Sequence, residues 1–266
     1  SYLVHTLLYA NEYVFKHPAT LHLITRKNTK YTESKYTKIH LLDIAKEIPS
    51  IPHADYIIHA ASKSAPKFYR DNKVDTLNTN ILGLYNLLAL PHDTLKSFLF
   101  FSSADAYGHQ TRKLKVSETD EGYTNHLDER SCYREGKRIG ETICMNYFWE
   151  RKLPVKIARI FHTFGPGLNL NDGRIFSDFI QRGLKKENII ISGDPTLERS
   201  ILYSKDAAIM FLKLLLSDKQ GEIYNIGNDK NNVSVKEFAE IVAAGFKEVH
   251  GFDMNVVVRR NDTITY

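Results

Sequence analysis

The feature that most constrains this chain is a regular alternation of short apolar runs with longer amphipathic runs. Apolar runs rich in aromatic and β-branched residues are typical of strands that are covered on both faces. Five such runs are predicted as strands: Leu21–Thr25, Tyr56–His59, Phe98–Ser102, Val155–Ile160 and Glu222–Ile226. Between them, apolar residues recur at helical spacing: Ile81, Leu84, Tyr85 and Leu88, and later Ile139, Ile143 and Tyr147. This alternation predicts an α/β fold with a doubly wound parallel sheet.

The beginning of the chain lacks one part of that fold. In a doubly wound sheet the first strand is central, and a glycine-rich phosphate loop follows it. This chain instead opens with an amphipathic run from Ser1 to Phe15, and no such loop occurs before the first predicted strand. A sheet without its central strand would expose the edges of both neighbouring strands, which is costly. We therefore expect a first strand and a glycine-rich loop before Ser1 in the native protein.

The composition indicates an ordinary globular chain and argues against two classes of partner. Of 266 residues, 42% are hydrophobic and 25% are charged, which is enough for a sizeable core and a solvated surface. The net charge of +5 is scattered rather than clustered, so nucleic acid is not an expected partner. The apolar run Ala207–Leu216 is interrupted by Lys213, so no membrane span is expected.

Cysteines and histidines do not indicate a metal site. Cys132 and Cys144 fall in one predicted helix, at a spacing that fits neither a metal site nor a CxxC pair. This pattern predicts reduced thiols in a cytoplasmic protein. The chain has 11 histidines, but no ligand spacing is found among His5, His17, His22 and His40.

A glycine- and asparagine-rich stretch, GPGLNLNDG at residues 165–173, marks a change along the chain. Such a stretch is typical of a loop between two differently built regions. We expect a dinucleotide-binding domain over residues 1–165, lacking its first strand. Residues 166–266 are expected to form a smaller, mainly substrate-binding part, with some segments returning to the sheet.

Tyr133 and Lys137 are four residues apart in the run SCYREGKRIGE, so a helix places both on one face. A free phenol, with a pKa of about 10, is a poor base at neutral pH. A nearby ammonium lowers that pKa, so the pair can exchange a proton with an alcohol while hydride leaves the same carbon. Gly136, between them, allows close approach of backbone or cofactor. A solvent-facing helix is the alternative interpretation, since the spacing is common by chance.

Two serines end the buried strand in the run LFFSSADAYG. Ligand sites of parallel sheets lie at the carboxyl ends of strands, where the hydroxyl of Ser102 or Ser103 can bind a reacting oxygen. A helix cap or a turn is the alternative role for these serines. The order of serine, tyrosine and lysine in a strand–loop–helix frame favours a catalytic role.

Several stretches resemble the extended short-chain dehydrogenase/reductase family, which includes nucleotide-sugar epimerases and dehydratases. YIIHAAS resembles its fourth-strand cofactor motif, TNILGLYNLL the helix that follows, and HLLDI the segment that meets the adenine. The resemblance implies a Rossmann fold that binds NAD through Asp43, Ile44, Ala60, Ala61, Ser62, Asn80 and Lys137. It implies that Ser103, Tyr133 and Lys137 form the catalytic triad, with Lys137 also holding the ribose.

Within that family, RSCYREGKRIGETIC, RIFHTFGPGLNLNDGRIFSDFI, ERSILYSKD and HAASKSAPKFY resemble stretches of the UDP-glucuronate decarboxylases. That likeness implies oxidation of the sugar C4 hydroxyl to a ketone, with formation of NADH. A 4-keto uronic acid is a β-keto acid, so it can then lose carbon dioxide through an enolate. The resemblance places the substrate against Tyr69, His162, Arg174 and Arg199.

Four positions depart from the family pattern. Ala104 stands where dehydratases carry an aspartate, so the acid that expels the C6 hydroxyl is absent and dehydration is disfavoured. Asp105 stands where the decarboxylases carry a glutamate, and we expect it to assist the second step with a shorter reach. His162 replaces an asparagine and Gly167 replaces an arginine, which alters recognition of carboxylate or phosphate.

The choice of nicotinamide cofactor is open at this stage. NAD sites usually carry an acid at the end of the second strand, but this chain has Arg26 and Lys27 there. Arg26 can accept a 2′-phosphate, so NADP is an alternative to the NAD that the resemblance implies.

We therefore expect a cytoplasmic, homodimeric nucleotide-sugar enzyme that works through a transient 4-keto intermediate, with decarboxylation of UDP-glucuronate first. A 4-epimerase or a 4,6-dehydratase is the alternative within enzymes. A non-catalytic nucleotide-binding protein of the same fold is the alternative from another class.

Overall fold

The computed structural model describes residues 2–27, 29–48, 50–109 and 115–259. The strands are Leu21–Thr25 (β1), Thr37–Leu41 (β2), Tyr56–His59 (β3), Ser97–Ser103 (β4), Val155–Ile160 (β5), His162–Phe164 (β6), Ile189–Ile191 (β7), Glu198–Tyr203 (β8), Glu222–Ile226 (β9), Asn232–Ser234 (β10) and Val256–Val258 (β11). The α-helices are Tyr2–Tyr13 (α1), Pro66–Asp71 (α2), Lys73–Ala89 (α3), Ser131–Arg151 (α4), Ile175–Leu184 (α5), Ser204–Leu216 (α6) and Val235–His250 (α7). All five predicted strands are confirmed, at β1, β3, β4, β5 and β9.

The chain divides into two compact units, each assembled from separate stretches of sequence. The first unit comprises Ser1–Ser64, Tyr69–Ile160 and Lys205–Ile226, and the second comprises Ala65–Phe68, Phe161–Ser204 and Gly227–Tyr266. The assignment of residues 1–165 to the cofactor and of 166–266 mainly to the substrate stays a prediction.

The first unit contains two parallel sheets. β1 pairs with β2, and a four-stranded sheet has the order β3-β4-β5-β9 with every neighbour parallel. Parallel neighbours joined through helices confirm the predicted α/β architecture. Within the described residues no strand pairing joins the two sheets, and a strand and glycine-rich loop before Ser1 stay a prediction.

β4 is central in its sheet because its sequence, SFLFFSS, can be buried on both faces. Phe98, Leu99 and Phe100 are fully buried, and they contribute with Leu84 and Ile157 to the core of the unit. Continuous apolar character is what a strand covered by helices on both sides requires.

Two glycines bring α4 close to its neighbours. A Cβ at Gly140 would lie 2.5 Å from the ring of Phe100, and one at Gly136 would lie 3.2 Å from Cβ of Asn80 in α3. Any larger residue at Gly140 would push α4 away from β4. The close approach expected at Gly136 is therefore made by another helix.

The described residues of the second unit include α5, α7, the six-residue β8 and several strands of three residues. β8 lies between β6, which is parallel to it, and β10, which is antiparallel, and β7 pairs in parallel with β11. α7 begins with a capping box between Ser234 and Glu237 and ends at Gly251 in the left-handed conformation. The capping box and the left-handed glycine thus define where α7 begins and ends.

Among the described residues, no helix is both long and apolar enough to pass through a bilayer.

Candidate active site

Ser103 lies at the carboxyl end of β4, where a parallel sheet presents its ligand site. Its Oγ accepts a hydrogen bond of 3.2 Å from the backbone N–H of Asp105 and so caps a short 3-10 turn, Ala104–Tyr107. The alternative role as a cap is therefore present in the structure. Because this contact uses only the acceptor side of the hydroxyl, its proton can still be donated to a reacting oxygen. The side chain of Asp105, in the same turn, is exposed.

Tyr133 and Lys137 are both buried in the first two turns of α4, which argues against the solvent-facing alternative. Lys137 Nζ lies 5.7 Å from the centre of the Tyr133 ring. The ring of Tyr133 stacks on that of Tyr69, with centroids 5.4 Å apart and an interplanar angle of 9°. The structure thus brings together the predicted base, the predicted cation and one predicted substrate residue.

Lys137 also ties α4 to the end of β4. Its Nζ donates a 2.7 Å hydrogen bond to the carbonyl oxygen of Phe101, two residues before Ser103. An ammonium has three N–H donors, and within the described residues no second acceptor is seen for this one. Two donors therefore remain for a phenolate and for ribose hydroxyls.

Burial sets the protonation of Lys137. The loss of solvation lowers the pKa of Lys137 to about 7, against the opposing effect of the Glu141 charge. The lysine can thus change charge near neutral pH, where a base for alcohol oxidation has to work. His59, also fully buried, has its pKa lowered to about 3 by burial and by the nearby Lys137, so its ring is neutral.

A buried ion pair that the sequence interpretation missed lies one turn beyond Lys137. Glu141 accepts two hydrogen bonds from Arg159 of β5, at 2.9 Å and 2.7 Å, and a third at 2.5 Å from Ser102 Oγ. The pair therefore joins α4, β4 and β5 directly beside Ser103. The arginine in the otherwise apolar strand VKIARI could have indicated this pair, since a charged side chain in a largely buried strand needs a partner.

The pair extends into a polar network. Arg159 lies over the ring of Tyr107 at 4.4 Å and donates a 3.0 Å bond to the carbonyl oxygen of Glu118. Tyr107 donates a 2.6 Å bond to Oδ1 of Asn225 in β9. The turn after β4 is thus anchored to the far side of the sheet.

The segments predicted to hold the cofactor contain polar atoms that suit a polar ligand. Ser62 Oγ, Asn80 Oδ1 and both ring nitrogens of His59 are buried and have no hydrogen-bond partner in the described part of the chain. Buried polar atoms are normally paired, so a ligand that reaches them would remove an energetic cost. Ala60 and Ala61, which follow β3, are exposed and leave the backbone there open.

Two further predicted cofactor residues lie after β2. Asp43 accepts a 3.1 Å bond from the backbone N–H of Ala45 and lies 3.9 Å from Arg26. Ile44 is buried in the core, beneath Gly83, so only its backbone can face a ligand.

The other predicted substrate residues belong to the second unit. His162, in β6, is exposed and its ring lies 5.7 Å from that of Phe176. Arg174, at the start of α5, pairs at 3.7 Å with the buried Asp172. Arg199, in β8, donates a 2.9 Å bond to the carbonyl oxygen of Glu198. Their contact with a substrate stays a prediction.

Comparison with known proteins shows the family. A model of the NAD dependent epimerase/dehydratase family matches residues 1–227. UDP-glucuronic acid decarboxylase 6 of Arabidopsis thaliana is 36% identical over 194 residues, which make up 73% of this chain and 56% of that protein. UDP-glucuronic acid decarboxylase 1 of Xenopus tropicalis is 34% identical over 194 residues, 73% of this chain and 45% of that protein. This chain belongs to the NAD-dependent epimerase/dehydratase family, and it spans about half the length of the curated relatives it matches.

Solved structures show the same fold. A UDP-glucose 4-epimerase from Thermotoga maritima, solved with UDP-glucose, has a TM-score of 0.79 at 20% identity, covering 98% of this chain and 82% of that one. The dTDP-glucose 4,6-dehydratase DesIV from Streptomyces venezuelae, solved with NAD bound, has a TM-score of 0.76 at 18% identity, covering 97% and 80%. The predicted Rossmann fold is therefore confirmed.

Proposed function

We propose that this protein modifies a nucleotide sugar with NAD through a transient 4-keto intermediate, and that UDP-glucuronate decarboxylation is its reaction. The observation that carries the proposal is the buried Tyr133–Lys137 pair, tied by Lys137 to the end of β4. The similarity to UDP-glucuronic acid decarboxylases supports the choice of substrate.

In the first step Tyr133, as phenolate, takes the proton of the sugar C4 hydroxyl, while Ser103 donates a hydrogen bond to the C4 oxygen. NAD, which Ser62, Asn80 and Lys137 would hold here, would supply the hydride acceptor and donor for C4. Lys137 stabilises the phenolate and binds the ribose with its remaining donors. The buried, unpaired oxygens of Ser62 and Asn80 fit a polar cofactor at this place.

In the second step the ketone at C4 lets the neighbouring carboxylate leave as carbon dioxide, and the electron pair of the broken bond forms an enolate. A proton then returns to C5, and Asp105, exposed beside Ser103, assists this step. Finally Tyr133 gives its proton back to the C4 oxygen as hydride returns to C4. Ala104 offers no acid for loss of a C6 hydroxyl, which weighs against a 4,6-dehydratase.

In this proposal Tyr69, which stacks on Tyr133, contacts the sugar. His162, Arg174 and Arg199 contact the nucleotide sugar, since guanidinium groups bind diphosphate or carboxylate in bidentate geometry. A 4-epimerase is the second candidate, because it needs only Ser103, Tyr133 and Lys137. A non-catalytic binding protein is disfavoured because burying a lysine next to a tyrosine has a cost that binding alone does not require.

Tyr133→Phe tests the proposal. The protein is incubated with NAD and UDP-glucuronate, NADH is followed by absorbance, and the products are identified by mass. We expect the variant to lose at least about 100-fold in rate, the range of a general base, while NAD binding persists. Tyr123→Phe removes the same hydroxyl from an exposed position and is the matched control.

The products separate the candidates. Carbon dioxide and a UDP-pentose support decarboxylation, and an inverted hexose from UDP-glucose supports a 4-epimerase. Wild-type turnover in Tyr133→Phe would refute the catalytic role of the pair.

We further propose a cytoplasmic homodimer. Apolar side chains are exposed on the outer faces of α3 and α4: Leu82, Tyr85, Ile139 and Trp149. A second copy of the chain that covers these helices would remove them from water. Cys132 and Cys144 are buried free thiols, which suits a reducing compartment. Light scattering measures the assembly, and Trp149→Glu should dissociate it.

A further inference from the structure

Arg26 directly follows β1, at the place where this fold usually carries an acid for the ribose of NAD. A basic residue there is typical of sites that accept the 2′-phosphate of NADP. Arg26 is therefore the residue that makes NADP an alternative to NAD.

The structure shows that Arg26 is already occupied. Asp75, in the first turn of α3, accepts two hydrogen bonds from its guanidinium, at 2.6 Å and 3.1 Å. Asp75 also pairs with Lys63 at 2.7 Å. Parallel bonds of this kind are among the strongest that a guanidinium forms with a carboxylate, and they occupy the Nη1–Nη2 edge of Arg26.

Asp75 keeps its negative charge throughout the physiological range. The hydrogen bond from Arg26, followed by that from Lys63, holds the pKa of Asp75 at about 2. Asp43 adds a second carboxylate 3.9 Å from Arg26. Two cations, Arg26 and Lys63, therefore face two anions, and the four charges cancel.

A 2′-phosphate would enter this group as a further anion. It would have to compete with Asp75 for Arg26, and the two carboxylates offset the attraction of the two cations. A ribose 2′-hydroxyl carries no charge and can donate a hydrogen bond to a carboxylate. The group of Arg26, Lys63, Asp43 and Asp75 thus lacks the net positive charge that a 2′-phosphate would need.

We infer that Asp75 is a specificity-determining residue that neutralises Arg26 and makes the protein select the dinucleotide without a 2′-phosphate. The inference rests on the proposed function, because it requires that the adenosine ribose binds at the end of β1.

Asp75→Asn tests this inference, because it removes the negative charge that pairs with Arg26 while the side chain keeps its size. Dissociation constants for NAD and NADP are measured by calorimetry on the wild type, on the variant and on the Arg26→Ala/Asp75→Asn double variant. We expect the wild type to prefer NAD. Affinity for NADP relative to NAD should rise roughly 10-fold in Asp75→Asn, equal to about 1.4 kcal/mol. The double variant should lose that gain, because no guanidinium remains.

Asp55→Asn is the matched control, since Asp55 forms a 2.8 Å pair with Lys96 and loses the same charge. Its ratio of NADP to NAD affinity should equal that of the wild type. If Asp75→Asn binds NAD with the wild-type ratio of NADP to NAD affinity, or if the wild type prefers NADP, the inference is wrong and the proposed function still stands. A wild type that binds neither dinucleotide would overturn the proposed function, and the inference with it.

Discussion

Both units have an apolar core, but among the described residues the first unit buries more charged side chains than the second. In the first unit Lys137, Glu141 and Lys156 are buried among the parallel strands and α4, and Arg159, which pairs with Glu141, is partly buried. In the second unit the core consists of aromatic and aliphatic side chains, with Phe164, Phe176, Phe179 and Phe238 in mutual ring contact. A buried charge has a cost in stability that an aromatic ring does not have. The difference indicates which unit carries a chemical task in addition to folding.

The two buried lysines of the first unit, Lys137 and Lys156, differ in how their ammonium groups are paired. Lys156 donates to the carbonyl oxygens of Leu215 and Ser217, at 2.9 Å and 2.6 Å, and so ends α6. Among the described residues, the one acceptor seen for Lys137 is the carbonyl oxygen of Phe101. A lysine that caps a helix is satisfied by the fold, whereas Lys137 is left with donors for a ligand. Burial by itself therefore does not identify a functional lysine, and the two differ in that Lys137 has fewer acceptors and lies beside Tyr133.

The largest expected effect comes from breaking the buried ion pair. Glu141→Ala removes the partner of Arg159 and leaves a buried, uncompensated charge, which should lower the free energy of unfolding by about 3–5 kcal/mol. Urea denaturation measures the loss. Glu150→Ala is the control, because Glu150 pairs with Arg151 at an exposed site and should cost less than about 1 kcal/mol. Equal losses in the two variants would show that the buried charges do not distinguish the first unit.

The next largest effect is a pH dependence of the free energy of unfolding that is caused by Lys137. Burial lowers its pKa from 10.5 to about 7 on folding, so between these values the unfolded chain holds a proton that the folded protein has released. Rising pH therefore stabilises the folded protein across this window. One proton corresponds to about 1.4 kcal/mol per pH unit, or about 2 kcal/mol between pH 7.5 and 9.

Lys137→Met should lack this rise when urea denaturation is repeated at both pH values. Lys96→Met should keep it, because the hydrogen bond to Asp55 raises rather than lowers the pKa of Lys96. An identical pH dependence in the wild type and Lys137→Met would mean that Lys137 is not held in the low-dielectric surroundings that its burial indicates.

The strands were predictable where burial on both faces leaves a continuous apolar run. β2 was not predicted because TKIHL is short, carries polar residues and is partly exposed, so it forms no continuous apolar run. The three-residue strands of the second unit, such as β6 and β10, are too short to show a period. Their positions depend on pairing with β8, which one segment of sequence does not reveal.

The helical pattern predicted α4 but did not reveal most of its buried residues. Ile143 and Tyr147 of the pattern pack against the core and Ile139 is exposed, whereas the buried residues include Gly136, Lys137 and Gly140. A search for apolar residues at helical spacing does not count glycine or lysine, so it cannot find these positions. The same holds for Asp75, whose role depends on Arg26, 49 residues away in sequence.

The smallest expected effect concerns the apolar core of the second unit. Ile189→Val removes one methyl group from a fully buried position and should lower the free energy of unfolding by about 0.5–1.5 kcal/mol. Ile241→Val makes the same change at an exposed position of α7 and should stay within about 0.5 kcal/mol of the wild type. Because this core contributes packing and no charge, both variants should retain the wild-type rate with UDP-glucuronate and the wild-type affinity for NAD. A rate that falls in Ile189→Val while the fold persists would mean that the second unit, too, is tuned for chemistry, and the contrast between the two cores would no longer separate their tasks.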